Sequence, residues 1–226
     1  MNTPSFPKQC LAEAIGTFFL VFAGTGSIII NTLTGGAVSQ VGIGLTFGAI
    51  VMIMITTLGP VSGAHINPAV TLALAFLRLF PAHRVAGYIA SQLTGAVLAS
   101  VVLLVLFGNV ANLGASLPSG PVWQSLVLEF LLSLLLMLVI LRFATGPDAN
   151  PLFAALAIGV TVGMEATFAG PLCGASMNPA RSLGPAIISG NLTHHWIYWI
   201  GPITGMLAAS VLHQTLYRKL PSASVI

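Results

Sequence analysis

The chain has 226 residues, 56% of them hydrophobic and only 5% charged, with a formal net charge of +3. A water-soluble domain carries charge on about 25% of its residues, so water is not the main solvent of this surface. Seven Lys and Arg are also too few for a face that tracks nucleic-acid phosphates.

Mean hydropathy is +1.00, and apolar runs near the ~20 residues needed to cross a bilayer recur along the whole length. The strands of about ten alternating residues that mark a β-barrel do not. An all-α membrane protein is predicted, with six spans over residues 9–31, 38–58, 85–107, 122–144, 152–170 and 195–217. The first run contains Glu13 and is too long for a signal-peptide core, so it is read as a retained span. A shorter apolar stretch, Asn67 to Arg78, lies between spans two and three, and another, Asn178 to Ser189, between spans five and six. At 1.5 Å per residue, twelve helical residues reach roughly 18 Å, about half a bilayer. Both stretches are predicted to be re-entrant half-helices.

The cations set an orientation. Lys8, Arg78, Arg84, Arg142, Arg218 and Lys219 all fall at connections that six spans place on one side. The positive-inside rule makes that side cytoplasmic, with both termini inside a plasma or inner membrane. Arg181 alone falls on the opposite side, directly after the second Asn-Pro-Ala, where a functional role fits better than a topological one.

The two half-helical stretches belong to a longer repeat. "SGAHINPAVTLALA" (62–75) returns as "CGASMNPARSLGPA" (173–186), "GLTFG" (44–48) as "GVTVG" (159–163), and "TGAVLASV" (94–101) as "TGMLAASV" (204–211). Glu13 matches Glu129 at a similar separation. A single channel domain over 1–226 is predicted, built from repeats at 9–107 and 122–217. Three spans per repeat force the second copy into inverted topology, and interrupted segments at matching positions point to a site near the membrane midplane.

The chemistry follows from the interruptions. Asn is a strong N-cap and Pro suits the first helical position, so Asn67-Pro68-Ala69 and Asn178-Pro179-Ala180 each begin a half-helix. Inverted symmetry brings the two starts together, and their positive dipole ends repel cations there. The Asn67 and Asn178 amides offer donors to a passing molecule. The carbonyls of Gly63, Ala64 and His65, and of Gly174, Ala175 and Ser176, are expected to form an extended ladder of acceptors. Such a lumen suits small neutral molecules that both donate and accept. Glu13 and Glu129, costly in hydrocarbon unless partnered, are expected to accept hydrogen bonds from the irregular backbone before each half-helix.

With "EAIGTFFLVFAGTG", "SGAHINPAVT", "GASMNPARSLGPA" and "WIYWIGPITG" on the page, the sequence resembles the aquaporin/glyceroporin family, the major intrinsic proteins, over nearly its whole length. The resemblance implies six spans plus two half-helices, a homotetramer in lipid with one pore per subunit, and passive conduction of water or small uncharged solutes without ions or protons. It also places a selectivity filter at Phe47, Ala166, Ala175 and Arg181. Water-selective members resemble Phe, His, a small residue and Arg, whereas glycerol channels resemble Trp, Gly, Phe and Arg. With Ala166 and Ala175 the set is nearest the nodulin-26-like and metalloid-conducting branches, and conduction of glycerol, arsenous or boric acid alongside water is expected. Ser182, Ala186 and Tyr198-Trp199 follow a water-channel pattern instead, so a strictly water-selective channel stands as the alternative.

Several residues admit more than one role. Glu165 has no match in the first repeat and is read as a support for Arg181 or the 173–177 loop, or as a pore-facing group. In the last of these roles it would be the coupling acid of a proton-coupled secondary transporter. An intramembrane enzyme would need Ser176 as nucleophile with His65 or His213 as base, and no nucleophile motif supports either. His65 is read as a pore-lining group, and His194-His195 as a polar span end. Cys10 and Cys173 are no disulfide framework, Cys173 being a packing residue. Trp196, Tyr198 and Trp199 are assigned to an interfacial belt. No cofactor, metal site or nucleic-acid partner is predicted.

Overall fold

The computed structural model describes residues 4–145 and 149–217. Among these residues eight α-helices follow in order: α1 (Phe6–Leu33), α2 (Ser39–Ser62), α3 (Pro68–Phe76), α4 (Val85–Phe107), α5 (Val122–Ala144), α6 (Pro151–Cys173), α7 (Pro179–Ser189) and α8 (Ile197–Tyr217). The described residues contain no strand. Among them, α1, α2, α5, α6 and the segment Ala82–Phe107 that contains α4 are long and apolar enough to cross a membrane. The sixth expected span, α8, has 21 residues, about 31 Å and matched to a hydrocarbon core of about 30 Å. Its last turns carry His213, Gln214 and Thr215, which dilute its hydropathy. The half-helices α3 and α7 have 9 and 11 residues, too short to span.

Two spans run through a proline beyond their expected ends. α2 continues through Pro60 to Ser62, and α6 continues through Pro171 to Cys173. Each ends at a glycine in the left-handed region, Gly63 and Gly174, both at φ 84°, whose N–H bonds the carbonyl four residues back. Glycine takes this geometry without the Cβ penalty. The caps, rather than the prolines, stop the helices.

Small residues let the helices approach closely, as helix association in lipid requires. α2 crosses α6 at two glycine pairs. A Cβ on Gly48 would stand 2.6 Å from the Gly159 carbonyl oxygen, and one on Gly159 would stand 2.7 Å from that of Gly48. Gly44 and Gly163 oppose each other in the same reciprocal way. α4 meets α1 at Gly95, where a Cβ would lie 2.1 Å from Ala14 O, and α8 meets α5 at Gly205, 2.2 Å from Phe130 O. Large apolar side chains such as Leu45, Val105 and Val160 are mostly exposed, the inverse of a soluble fold.

Lys8, Arg78, Arg84 and Arg142 stand at or beside the ends of α1, α3, α4 and α5. Arg84 Nη1 donates to Gln9 Oε1 at 3.3 Å, joining the starts of α4 and α1. Arg218 and Lys219 lie outside the described residues.

Candidate functional site

The site is built where α3 and α7 begin. Asn67 and Asn178 have extended backbones and cap their own helices: Asn67 Oδ1 accepts from Ala69 N at 2.9 Å, and Asn178 Oδ1 from Ala180 N at 3.0 Å and Arg181 N at 3.3 Å. Their amides then reach across. Asn67 Nδ2 donates to Met177 O and Asn178 Nδ2 to Ile66 O, both at 2.8 Å. One amide hydrogen of each Asn is therefore committed to the opposite loop, and only the second remains for a molecule in the lumen. Pro68, Ala69, Pro179 and Ala180 form the first turns behind them and are buried.

The backbone of the loops before the half-helices is not extended as expected from the sequence. Ala64, Ile66, Ala175 and Met177 have φ of 45°, 44°, 38° and 52°, a left-handed geometry that side-chain-bearing residues adopt at a cost of roughly 1–3 kcal/mol each. Alternating handedness turns successive N–H groups the same way and forms an anion-binding nest. A buried glutamate fills each nest. Glu13 accepts from His65 N at 2.9 Å and Ile66 N at 2.7 Å, and Glu129 from Ser176 N and Met177 N at 2.8 Å each. Glu13 has two further donors, Ser62 Oγ at 2.7 Å and Gln92 Nε2 at 2.8 Å. Both carboxylates are fully buried.

Two tyrosines hold the ends of α2 and α6. Tyr88 Oη lies 2.8 Å from Ser62 O, and Tyr198 Oη donates to Cys173 O at 2.8 Å. Tyr198 is thus a buried support rather than part of an interfacial belt; Trp196 is exposed, and Trp199 Nε1 donates to His195 Nε2 at 3.2 Å. Sequence reasoning missed Tyr88, although it falls at the repeat position matching Tyr198. Gln92 was missed as well, and it has no such match, since Pro202 stands at the corresponding place in α8.

A cavity of about 270 Å³ runs through this assembly. Phe47, Arg181, Asn67, Asn178, His65, Leu79 and Thr145 are among the residues that line it. The wall is otherwise mostly aliphatic, from residues such as Leu20, Val51, Leu136, Ile158 and Val162. Gly63, Ala64, Ala175 and Ser176 also line it, whereas Gly174 does not. Of the four residues expected from the sequence to form a filter, Phe47, Ala175 and Arg181 line the cavity. Ala166 is not on its wall: it is buried in the apolar core, and its carbonyl accepts from Gln40 Nε2 at 2.7 Å.

Arg181 is 2% exposed, and its guanidinium carbon stands 5.0 Å from the centroid of the Phe47 ring, within cation–π range. Its Nη1 donates to Gly114 O and to Ser116 Oγ, each at 2.9 Å, and its Nε has no partner among the described residues. The Val110–Gly114 turn that supplies Gly114 is left-handed at Ala111, Asn112 and Leu113. No periodicity in the sequence marks this connection as part of the site.

Glu165 is buried, and among the described residues neither carboxyl oxygen has a hydrogen bond. It bonds neither Arg181 nor the 173–177 loop, and it is not on the cavity wall. The Ser176 hydroxyl donates to Asn178 O at 2.9 Å, and His65 Nδ1 lies 3.2 Å from Thr71 Oγ1.

Comparison with known proteins places this geometry. Residues 1–213 match the family model described as major intrinsic protein. The chain is 45% identical over 211 residues to aquaporin NIP1-3 of Oryza sativa subsp. japonica, covering 93% of this chain and 74% of the relative. It is 41% identical over 206 residues to nodulin-26 of Glycine max, covering 91% and 76%. Among solved structures, the aquaglyceroporin of Plasmodium falciparum superposes with a TM-score of 0.82 at 24% identity, over 94% of this chain and 97% of that one.

Proposed function

The chain belongs to the major intrinsic protein family, and from that premise we propose that it is a passive membrane channel for water and small uncharged solutes, including glycerol and metalloid acids such as boric and arsenous acid. The observation that carries this reading is the cavity itself, lined by Arg181 and Phe47, by both asparagines, and by His65 and Thr145. Its wall is aliphatic apart from a short line of polar groups, so a solute sheds water at little gain except where it finds those partners. The uncharged amides and the paired half-helix N-termini favour a neutral donor–acceptor molecule over a cation.

The domain is a single unit made of two inverted repeats. Reciprocal pairs support this: Asn67 with Asn178, Glu13 with Glu129, Tyr88 with Tyr198, and the glycine crossing of α2 and α6. The filter comprises Phe47, Ala175 and Arg181, with Ala166 behind them; two alanines leave it wider than a histidine-bearing filter. Both termini face the cytoplasm, in keeping with Lys8, Arg78, Arg84 and Arg142 near one end of the helices. Exposed apolar faces are covered by lipid and by three further copies in a homotetramer.

The test is flux in proteoliposomes. Stopped-flow shrinkage should be fast under an osmotic gradient, and glycerol and boric acid should equilibrate through the protein while an imposed pH gradient persists. Water flux with full exclusion of both solutes would establish the strictly water-selective alternative. Saturable flux driven by the pH gradient would replace the channel with a coupled transporter.

A further inference from the structure

Arg181 is connected to the backbone of Asn178 by three buried serines. Arg181 Nη1 and Ser116 Oγ are 2.9 Å apart, Ser116 Oγ and Ser182 Oγ 2.9 Å, and Ser176 Oγ and Asn178 O 2.9 Å, while Ser182 and Ser176 are joined by a short hydroxyl–hydroxyl bond. These serines are 3%, 0% and 5% exposed at positions 116, 182 and 176. They come from three places in the chain: the connection before α5, the first turn of α7, and the loop after α6.

Donor and acceptor counting orients every hydroxyl. A guanidinium only donates, so Ser116 Oγ accepts from Arg181. A carbonyl only accepts, so Ser176 donates to Asn178 O. Each serine has one hydrogen, so Ser116 must donate to Ser182 and Ser182 to Ser176. The result is one directional chain from a fixed cation to the residue that caps α7. Such chains polarise from bond to bond in a low-dielectric interior.

We propose that Ser116 and Ser182, acting through this chain, are positioning residues that hold the Arg181 guanidinium against the outer wall of the pore and thereby set its solute selectivity. The flux consequence rests on the channel reading above; the restraint on Arg181 does not. Gly114 O is the other acceptor of the same nitrogen, so loss of Ser116 leaves one bond where there were two. The freed guanidinium then finds its missing acceptor among molecules in the lumen, leans inward over Phe47, and narrows the opening to larger solutes before water.

The experiment compares wild type with Ser116→Ala, Ser182→Ala and Ser116→Thr in proteoliposomes at matched protein density. Two quantities are read: the glycerol-to-water flux ratio, and rotation of the Arg181 guanidinium from isotope-labelled nitrogen resonances, assigned with Arg181→Lys. In wild type the guanidinium should be immobile. Both alanine variants should show faster rotation and a ratio lowered several-fold, and Ser116→Thr, which keeps the hydroxyl, should match wild type. A guanidinium equally immobile in all variants overturns the proposal, and so does an unchanged ratio in variants that only melt earlier. A wild type that passes neither water nor glycerol defeats the channel reading instead, and guanidinium rotation still decides the chain.

Discussion

Asn67 and Asn178 each donate one amide hydrogen to the carbonyl that precedes the other, Met177 O and Ile66 O, at the same 2.8 Å. The two half-helices are thus joined by paired bonds, and each Asn caps its own helix with its remaining oxygen. Asp at either position keeps the capping oxygen and loses the cross-loop donor. Leaving a buried carbonyl unpaired costs about 1–3 kcal/mol, and the added negative charge offsets the positive dipole ends. We expect Asn67→Asp and Asn178→Asp to lower the melting temperature and to admit sodium. An unaltered melt with an ion-tight pore would contradict the joint as drawn.

Glu13 and Glu129 fill equivalent nests with unequal partners. Each Glu13 oxygen accepts two bonds, one from a backbone N–H and one from Ser62 or Gln92, whereas each Glu129 oxygen accepts one backbone N–H and the carboxylate has only the weak Cys173 thiol as a side-chain donor. Gln turns one acceptor into a donor that faces the donors already there. At Glu13 two bonds from strong N–H or O–H donors are lost, each worth roughly 1.5–3 kcal/mol for a charged acceptor, whereas at Glu129 the loss is one such bond and at most the weaker thiol contact. Glu13→Gln should therefore be the more destabilising of the two in detergent melts. Equal or reversed losses would mean that Ser62 and Gln92 contribute nothing.

Ala166 lies four residues after Val162, on the same helical face, and Val162 lines the cavity. A histidine at 166 would project into that space and crowd Phe47 and Arg181. A steric barrier of about 1.4 kcal/mol for a solute that must pass the ring is roughly a tenfold loss of flux. Glycerol flux should fall by about that factor in Ala166→His, with water flux much less affected. Parallel losses for both permeants would place Ala166 outside the filter.

Glu165 is buried without a partner for either oxygen among the described residues. Replacement of an unpaired buried polar group by an apolar side chain of similar volume removes a penalty of about 1–3 kcal/mol. Glu165→Met is expected to raise the melting temperature and leave water and glycerol flux intact. Loss of flux in a well-folded Glu165→Met protein would return this residue to the transport pathway.

Much of the architecture was legible because the relevant signals are local. Asn-Pro at the head of a short apolar run specifies a capped half-helix, and its recurrence at a matching place specifies its counterpart. The glutamates were legible because an acid in a membrane span demands donors, and irregular backbone supplies them. Tyr88 was hidden because, in the first turns of α4 and α8, the tyrosine recurs while its neighbours do not.

By itself, then, the sequence determined the membrane solvent, the spans, the two half-helices and the residues at their heads, since hydropathy, capping and repetition are properties of neighbouring residues. Only the tertiary structure decided where the remaining hydrogen bonds go. The left-handed turns at Ala64, Ile66, Ala175 and Met177 exist because buried carboxylates from α1 and α5 gather the N–H groups they expose. Arg181 is held by Gly114 and Ser116, residues of an irregular connection more than sixty positions away. Partners that distant leave no period in the chain, and a donor finds its acceptor only after the helices have packed.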